Sequence, residues 1–255
     1  MRANALKQKL AAGARVYGPF LKILDPAVVE ICGHAGFDFV IIDLEHGPGT
    51  IETVQNHVRA AEAVGITPIV RVTENAPGRI LRALDIGAQG IEIPQIGSRA
   101  DAEKAAGAAR YHPDGARGVC RFVRAADYSA MDRAAYFEQA NRETLVIVHI
   151  EGVEGVSNLE EILSVKGIDV VFLGPYDLSQ ACGVPGRIEH PKVVEKMRHA
   201  VELATAAGVV VGTFVDTVEN ARTWGELGVQ YLSYSVDVGI LCDACKALVA
   251  RLKGG

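Results

Sequence analysis

Short runs of apolar residues alternate with alanine-rich stretches along the whole chain. Runs such as FDFVIID, LVIVHIE and DVVFLG are apolar on both faces, which is typical of parallel strands buried on either side. The stretches between them are typical of helices, and several end at a glycine, as at Gly36 and Gly65, where a left-handed cap is expected. The pattern predicts a parallel sheet with helical crossovers.

The strands are predicted at Val16–Phe20, Phe37–Asp43, Thr67–Val72, Gly90–Ile93, Leu145–Glu151, Val170–Leu173, Val209–Phe214 and Tyr231–Ser235. The helices are predicted at Pro26–His34, Ile51–Val64, Ala76–Asp85, Arg99–Arg110, Val156–Val165, Pro191–Ala207, Val218–Leu227 and Val238–Leu252. Eight strands, each paired with a helix, predict an α/β fold of the (β/α)8 TIM-barrel type.

The length of 255 residues is close to the roughly 250 of a one-domain barrel, so residues 1–255 are expected to form a single domain. The formal net charge is -5 and there is no basic stripe, so nucleic acid is not an expected partner. No apolar run is long enough to span a membrane, and the start, MRANALKQKLAAG, lacks the apolar region of a signal peptide. We therefore expect a cytoplasmic protein.

The five cysteines are odd in number and have no zinc-site spacing, so we expect free thiols. Cys242 and Cys245 form the motif C-D-A-C, which is also found in redox dithiols. The motif lies in a late helical stretch without a thioredoxin-like context, and this favours ordinary helix residues.

One segment breaks the alternation of strands and helices. It runs from Tyr111 to Ala130, carries Arg117, Arg121 and Arg124, and precedes the fifth strand. Long loops in compact domains are usually functional.

Candidate chemistry lies at the ends of four predicted strands. Active sites of TIM barrels are built at the carboxyl ends of the strands, so a polar residue that ends an apolar strand is informative by its position. The residues concerned are Asp43, Glu45 and His46 after the second strand, Arg71 in the third, Glu151 in the fifth, and Asp177 after Gly174, Pro175 and Tyr176 of the sixth.

Glu151 and Asp177 come from successive strand ends, with no cysteine and few histidines nearby. Two hard oxygen ligands that leave coordination positions open suit Mg²⁺, Mn²⁺ or a similar ion and leave room for a bidentate 2-oxo acid. The structural alternative is that each acid is a charge favoured near a helix amino terminus.

His46 follows a strand that ends in carboxylates, which favours a general base over a surface or capping group. Arg71 lies inside the apolar run TPIVRV, where a guanidinium needs a charge or several acceptors to offset its desolvation. It is expected either to stabilise an oxyanion or to form a structural salt bridge with Asp43 or Glu45.

Two further residues have several interpretations. His149 lies two residues before Glu151, on the same strand face, where it could bind the metal, contact the substrate or fill the interior. Asp85 ends the helical segment ILRALD, where the helix dipole disfavours an acid, so another interaction is expected to explain the residue. The alternative interpretation of Asp85 is that it is a solvated turn residue.

These residues belong to four motifs: D-L-E-H-G-P at 43 to 48, V-R-V at 70 to 72, H-I-E at 149 to 151, and G-P-Y-D-L-S at 174 to 179. The combination resembles the HpcH/HpaI aldolase family of metal-dependent class II pyruvate aldolases, which have a barrel of the phosphoenolpyruvate/pyruvate type. The likeness covers nearly the whole chain, including LDIGAQGIEIPQI and GVPGRIEHP.

The resemblance implies specific roles. Glu151 and Asp177 match the metal ligands, with Mg²⁺, Mn²⁺ or Co²⁺ as the expected ion, and Arg71 matches the transition-state stabiliser. His46 matches the proton acceptor, whose basicity the carboxylate at Asp85 raises. Because a helix end should lie at the far face of its own barrel, Asp85 is expected to serve a neighbouring subunit, with Asp43 as the local alternative.

The substrate-binding roles are less closely matched. Gly174, Pro175 and Tyr176 match the segment that contacts the substrate, with the Tyr176 backbone amide as the contact. Well-known members have glutamine where this chain has His149, a position that touches the substrate. Arg124 aligns loosely with an arginine near the aldehyde end.

The implied activity is reversible cleavage of a 4-hydroxy-2-oxo acid to pyruvate and an aldehyde through a pyruvate enolate, in a homo-oligomer for which a hexamer is expected. A citrate-lyase-like or malyl-CoA-type lyase is the nearest alternative and would depend on coenzyme A. A non-catalytic barrel that binds a 2-oxo acid is a further alternative.

Overall fold

The computed structural model describes residues 3–254, and its centre is a closed barrel of eight parallel strands in the order of the chain. The strands are β1 Val16–Leu21, β2 Phe39–Asp43, β3 Thr67–Arg71, β4 Gly90–Ile93, β5 Leu145–Ile150, β6 Val170–Leu173, β7 Val210–Val215 and β8 Tyr231–Val236. Pairing of β1 with both β2 and β8 closes the sheet, so the predicted TIM-barrel fold is confirmed.

Helices cover the outside of the barrel and also occupy both of its ends. They are α1 Ala5–Ala11, α2 Ala27–Ala35, α3 Ile51–Val64, α4 Pro77–Asp85, α5 Arg99–Ala109, α6 Arg133–Glu143, α7 Val153–Ser157, α8 Leu159–Leu163, α9 Pro175–Ala181, α10 Pro191–Ala206, α11 Val218–Glu226 and α12 Asp237–Leu252. Among residues 3–254, no helix has the length and apolar character required to cross a bilayer.

Successive side chains of a strand point alternately into the barrel and toward the outer helices, so the apolar core has two layers. In β2, Phe39 and Ile41 belong to the cluster inside the barrel, whereas Val40 and Ile42 pack in the cluster between the strands and the outer helices. The same phase places Asp43, two residues beyond Ile41, on the inward face at the carboxyl end of the strand. The site residues therefore continue the inward rows of the barrel.

Three helices were not predicted from the sequence. Helix α1 closes the amino-terminal end of the barrel, because Leu6 and Leu10 pack with the interior cluster. Asn4 fixes this plug by donating from its side chain to the carbonyl oxygen of Gln89 over 2.9 Å. The other two are α6, which follows the long loop, and α9, which begins at Pro175 in the G-P-Y-D motif.

Two predicted segments differ in detail. The helix predicted at Val156–Val165 is divided into α7 and α8 at Asn158, whose side chain donates to the carbonyl oxygen of Gly97 over 2.8 Å. The predicted loop from Tyr111 to Ala130 is largely irregular, with a short 3-10 segment at Arg124–Ser129. The remaining strand and helix ends lie within a few residues of the prediction.

Gly18 allows β1 to lie close to β2. A Cβ atom at this position would be 2.2 Å from the carbonyl oxygen of Phe39, which is a backbone atom that cannot rotate away. The ring of Phe39 stacks on Tyr231 with centroids 4.1 Å apart, so the neighbouring interior is also filled. A larger residue at position 18 must therefore displace a strand.

We predict that Gly18→Ala lowers the free energy of unfolding by about 1–3 kcal/mol, because over-packing forces the backbone to shift. Urea unfolding followed by circular dichroism measures the change. The matched control is Gly107→Ala in α5, where a Cβ atom would have no neighbour within 4 Å and removal of a helical glycine is expected to be neutral or stabilising. Equal stability of the Gly18→Ala variant and the unmodified protein would contradict the close approach.

Candidate active site

A cavity of about 450 Å³ opens at the carboxyl ends of the strands. Binding sites of TIM barrels lie at this face, where the loops that follow the strands converge. Nine of the residues predicted from the sequence line the cavity: Asp43, His46, Arg71, His149, Glu151, Gly174, Pro175, Tyr176 and Asp177.

Glu151 and Asp177 reach this cavity from neighbouring strands. Glu151 directly follows β5 and is 6% exposed, whereas Asp177 lies in the first turn of α9 and is exposed. Gly174, between β6 and α9, lies directly against Glu151: a Cβ atom there would be 2.7 Å from Glu151 Oε2. The absence of a side chain at position 174 thus makes room for the buried carboxylate.

Two hydrogen bonds orient the Glu151 carboxylate. The backbone amide of Gln95 donates to Oε1 over 2.8 Å, and His149 Nδ1 lies 3.3 Å from Oε2. Gln95 has a φ of 56°, which lies in the left-handed region. A residue other than glycine adopts this backbone conformation only when its surroundings hold it there. Burial would raise the pKa of Glu151, but His149 and the Gln95 amide outweigh it and lower that pKa.

His149 is held between two carboxylates inside the barrel. Its Nε2 lies 3.1 Å from Glu92 Oε2, its Nδ1 faces Glu151, and its ring stacks on Phe172. The Tyr231 hydroxyl donates to the other oxygen of Glu92 over 2.8 Å. Burial by itself lowers the pKa of His149, but Glu151 and Glu92 reverse this and raise it to about 9. In this arrangement both ring nitrogens of His149 already have partners.

Arg71 forms a buried ion pair with the end of β2. Its Nε and Nη2 donate to the two oxygens of Asp43 over 2.9 and 2.7 Å, and its Nη1 lies 3.1 Å from Glu45 Oε2. The guanidinium also lies over the ring of Phe20, 4.5 Å from the centroid. The predicted salt bridge thus involves both carboxylates, and Arg71 still lines the cavity.

These contacts shift the titration of both acids. Burial would raise the pKa of Asp43, but the hydrogen bonds and charge of Arg71 outweigh it and lower that pKa. Burial raises the pKa of Glu45 even though Arg71 opposes the shift. Asp43 is therefore the carboxylate that keeps its charge most strongly beside Arg71.

His46 lies at the edge of the cavity with its side chain 56% exposed. Its backbone amide donates to Asp43 Oδ1 over 3.2 Å, and its Nε2 lies 3.9 Å from Glu45 Oε2. Asp43 therefore fixes the backbone of His46, while the Asp43 side chain is engaged by Arg71. Within residues 3–254 of one chain, no carboxylate forms a close hydrogen bond with the His46 ring.

Two predicted residues lie away from the cavity of their own barrel. Asp85 ends α4 and accepts a hydrogen bond from Arg117 Nη2 over 2.6 Å. Arg124 donates to Glu62 over 2.9 Å and to the carbonyl oxygen of Ile86 over 3.1 Å. The structure thus places Asp85 at the far face, as expected from its helix, and does not bring Arg124 to the site.

Several residues at or beside the site were not predicted from the sequence. Glu92 is a charged residue within the apolar strand G-I-E-I and is fully buried, which was a detectable signal. Asp216 accepts a hydrogen bond from the Tyr176 hydroxyl over 2.8 Å, and both line the cavity. Lys22 lines it after β1, and Gln95 had no signal because only its backbone amide acts.

The donor set fits a hard divalent cation. Among residues 3–254, no group of three or more His, Cys, Asp or Glu side chains is arranged to hold a metal. Glu151 and Asp177 instead supply two carboxylates at one cavity, which leaves positions for oxygen atoms of a substrate and of water. Oxygen donors of this kind are the ones that Mg²⁺ and Mn²⁺ prefer.

Comparison with known proteins agrees with the architecture. The profile of the HpcH/HpaI aldolase/citrate lyase family matches residues 17–244. The chain belongs to this family. A hydroxypyruvate/pyruvate aldolase from Pseudomonas aeruginosa is 34% identical over 253 residues, covering 99% of this chain and 94% of the relative. A 4-hydroxy-2-oxo-heptane-1,7-dioate aldolase from Salmonella heidelberg is 37% identical, covering 97% and 94%.

Solved structures show the same similarity. A family member from Burkholderia cenocepacia superimposes with a TM-score of 0.94 at 35% identity, over 99% of this chain and all of that one (100%). A citrate synthase superimposes with a TM-score of 0.89, also at 35% identity, with 97% of each chain covered. The predictions of the family and of a lyase of the aldolase type are confirmed by these relatives.

We predict that Gly174→Ala weakens divalent-metal binding by about tenfold or more, because the new methyl group displaces Glu151. Isothermal titration with Mn²⁺ measures the affinity, and circular dichroism verifies the fold. Gly152→Ala, where a Cβ atom would have no neighbour within 4 Å, is the control on the other side of Glu151. Unchanged Mn²⁺ affinity in a folded Gly174→Ala variant would disagree with the proposed contact.

We predict that the metal-free protein loses stability between pH 6.5 and about 9. The pKa of His149 rises from 6.5 to about 9 on folding, so its contribution is complete below pH 6.5 and disappears as pH rises through the folded value. Urea unfolding of chelator-treated protein across this range measures the loss.

The control for the pH series is the double variant Glu92→Gln, His149→Gln, in which amides replace both charges. Its stability should vary less over the same pH range. Identical slopes for the two proteins would show that His149 does not titrate with the raised pKa.

Proposed function

We propose that the chain catalyses divalent-metal-dependent, reversible aldol cleavage of a 4-hydroxy-2-oxo acid to pyruvate and an aldehyde. The main support is one cavity that contains two carboxylates for a metal, a cationic guanidinium and a histidine able to move a proton. Membership of the family and the names of the curated relatives agree with this reaction class.

Glu151 and Asp177 would hold Mg²⁺, Mn²⁺ or Co²⁺. When bound, the ion would act as a Lewis acid that polarises the 2-oxo acid. Glu151 is prepared for this role because Gln95 and His149 fix its two oxygens and favour its ionised form. We assign His149 to this positioning role, since both of its ring nitrogens face carboxylates.

Arg71 would stabilise the negative charge that develops on the enolate oxygen. Burial would lower the pKa of Arg71, but Asp43 and Glu45 raise it, so the guanidinium stays charged. Its rigid position against Asp43 means that little reorganisation is needed when charge develops. Across the cavity, the segment Gly174, Pro175 and Tyr176 would contact the substrate, with the Tyr176 backbone amide as the donor.

His46 would move the proton. In the cleavage direction it takes the proton from the 4-hydroxyl group as the carbon-carbon bond breaks, and this proton then passes, directly or through water, to the methylene carbon of the enolate to give pyruvate. In the condensation direction a methyl proton of pyruvate is removed by the reverse path, and a proton is returned to the new alkoxide. Its exposure at the cavity edge gives it access to the substrate or to water. Because no carboxylate among residues 3–254 of the same chain forms a close hydrogen bond with its ring, we propose that Asp85 of a neighbouring subunit orients it.

A homo-oligomer, with a hexamer as the expected form, is part of this proposal. Helix α12 presents apolar side chains to solvent along its length, including Leu241, Leu248 and Leu252. An exposed apolar face of this kind is typical of an interface between subunits.

The cytoplasmic location of the protein stays a prediction.

A citrate-synthase-like or citrate-lyase-like reaction is the second candidate, and the similarity to a citrate synthase at 35% identity favours it. Such a reaction would use an acyl-coenzyme A. Formation of citrate from oxaloacetate and acetyl-coenzyme A, without cleavage of any 4-hydroxy-2-oxo acid, would favour this alternative.

We predict that EDTA abolishes cleavage of a 4-hydroxy-2-oxo acid and that Mg²⁺, Mn²⁺ or Co²⁺ restores it. Pyruvate release, followed with a coupled lactate dehydrogenase assay, measures the rate. Glu151→Gln and Asp177→Asn should remove this rescue, because each lacks one of the two anionic ligands. Activity that persists after complete metal removal would reject the mechanism.

A further inference from the structure

Lys22 is a cation at the cavity to which the proposed reaction gives no role. It follows β1, two residues after the inward-facing Phe20, and so continues the inward row of that strand. It lines the cavity, and its side chain is 29% exposed.

The closed order of strands places Lys22 across the mouth from the proposed metal ligands. β1 pairs with β2 and β8, whereas Glu151 follows β5, which is four strands away in either direction around the ring. A substrate whose 2-oxo acid end lies at Glu151 and Asp177 must extend its other end toward a different part of the mouth. The residues there include Lys22, Ser235 and Val236.

The charge of Lys22 is only weakly compensated. Its Nζ lies 3.9 Å from Asp43 Oδ2, an oxygen that already accepts a hydrogen bond from Arg71 over 2.7 Å. The other oxygen of Asp43 accepts hydrogen bonds from Arg71 and from the backbone amides of Glu45 and His46. Asp43 is therefore occupied by other donors, and an ammonium group with three donors remains at the cavity wall.

The backbone beneath Lys22 is firmly fixed. Its amide donates to both oxygens of Asp237 over 3.0 Å, and the amide of Ile23 donates to Asp237 Oδ2 over 2.8 Å. Asp237 is 5% exposed at the start of α12. Because the main chain is tied to α12, the side chain of Lys22 begins from a defined point at the rim.

We propose that Lys22 determines acceptor specificity by binding an anionic group, a carboxylate or a phosphate, at the far end of the aldehyde. This inference rests on the proposed function and deepens it. The ammonium group is placed opposite the 2-oxo acid end, lacks a hydrogen-bonded carboxylate of its own, and lines a cavity large enough for a substrate longer than pyruvate. An anionic aldehyde would supply the missing partner, whereas a neutral aldehyde would not.

The test is the ratio of kcat/KM for an anionic aldehyde to that for its neutral counterpart in condensation with pyruvate. Succinic semialdehyde is compared with butanal for the carboxylate, and glyceraldehyde 3-phosphate with glyceraldehyde for the phosphate. The variants are Lys22→Met and Lys22→Arg. The control is Lys166→Met, which removes the same charge from an exposed site between α8 and β6 at the opposite end of the barrel.

We expect Lys22→Met to lower the ratio by about tenfold or more for at least one of the two anions, because a charge-assisted contact is lost. Lys22→Arg should retain most of the preference, and Lys166→Met should leave the ratio unchanged. The anion whose ratio falls identifies the group that Lys22 recognises. Circular dichroism and thermal unfolding verify that each variant is folded.

Unchanged ratios for both anions in an active Lys22→Met variant would overturn the inference while leaving the proposed function intact. An equal loss in every condensation and in the exchange of pyruvate methyl protons with solvent would also overturn it, because Lys22 would then act at the 2-oxo acid or on Asp43. A wild-type protein with neither proton exchange nor condensation would reject the proposed function and this inference together.

Discussion

Each strand of the barrel is hydrogen-bonded on both edges, and this closure determines which side chains can meet. Parallel strands bring all their carboxyl ends to one mouth, and the two-residue repeat sends alternate side chains inward. Residues separated by more than a hundred positions, such as Asp43 and Asp177, therefore line one cavity. No single loop builds the site, so its geometry depends on the register of the whole sheet.

Charge at this mouth is arranged in adjacent pairs. Arg71 lies between Asp43 and Glu45, and His149 lies between Glu151 and Glu92. An isolated ion would be costly in so buried a place, and each cation reduces that cost for two acids. The result is a set of polar side chains positioned by one another before any substrate arrives, which is the condition under which electrostatic stabilisation is most effective.

The sequence predicts much of this arrangement because the strands are apolar and their ends are polar. The eight strands and the residues at their carboxyl ends follow directly from that pattern, and Glu151 and Asp177 do reach one cavity. Helices α1 and α9 were not predicted because each has only seven residues, and so short a segment shows little periodicity. Helix α1 closes the end of the barrel, and α9 begins inside the G-P-Y-D-L-S motif. The pattern of apolar and polar residues also does not predict which side chains form hydrogen bonds. The contact of His149 with Glu92 joins side chains of two strands, and Gln95 acts only through its backbone amide.

The contact between Glu92 and His149 restricts how this site can have diverged from relatives that have glutamine at position 149. Replacement of the histidine alone would leave the fully buried carboxylate of Glu92 with the Tyr231 hydroxyl but without its cationic partner, and replacement of the glutamate alone would leave a buried imidazole ring with one partner fewer. Each single step therefore crosses a less stable intermediate, whereas the two changes together need not. Positions 92 and 149 should consequently be inherited as a unit, and a sequence that carries only one of the two residues should contain a compensating change elsewhere in the same layer of the barrel.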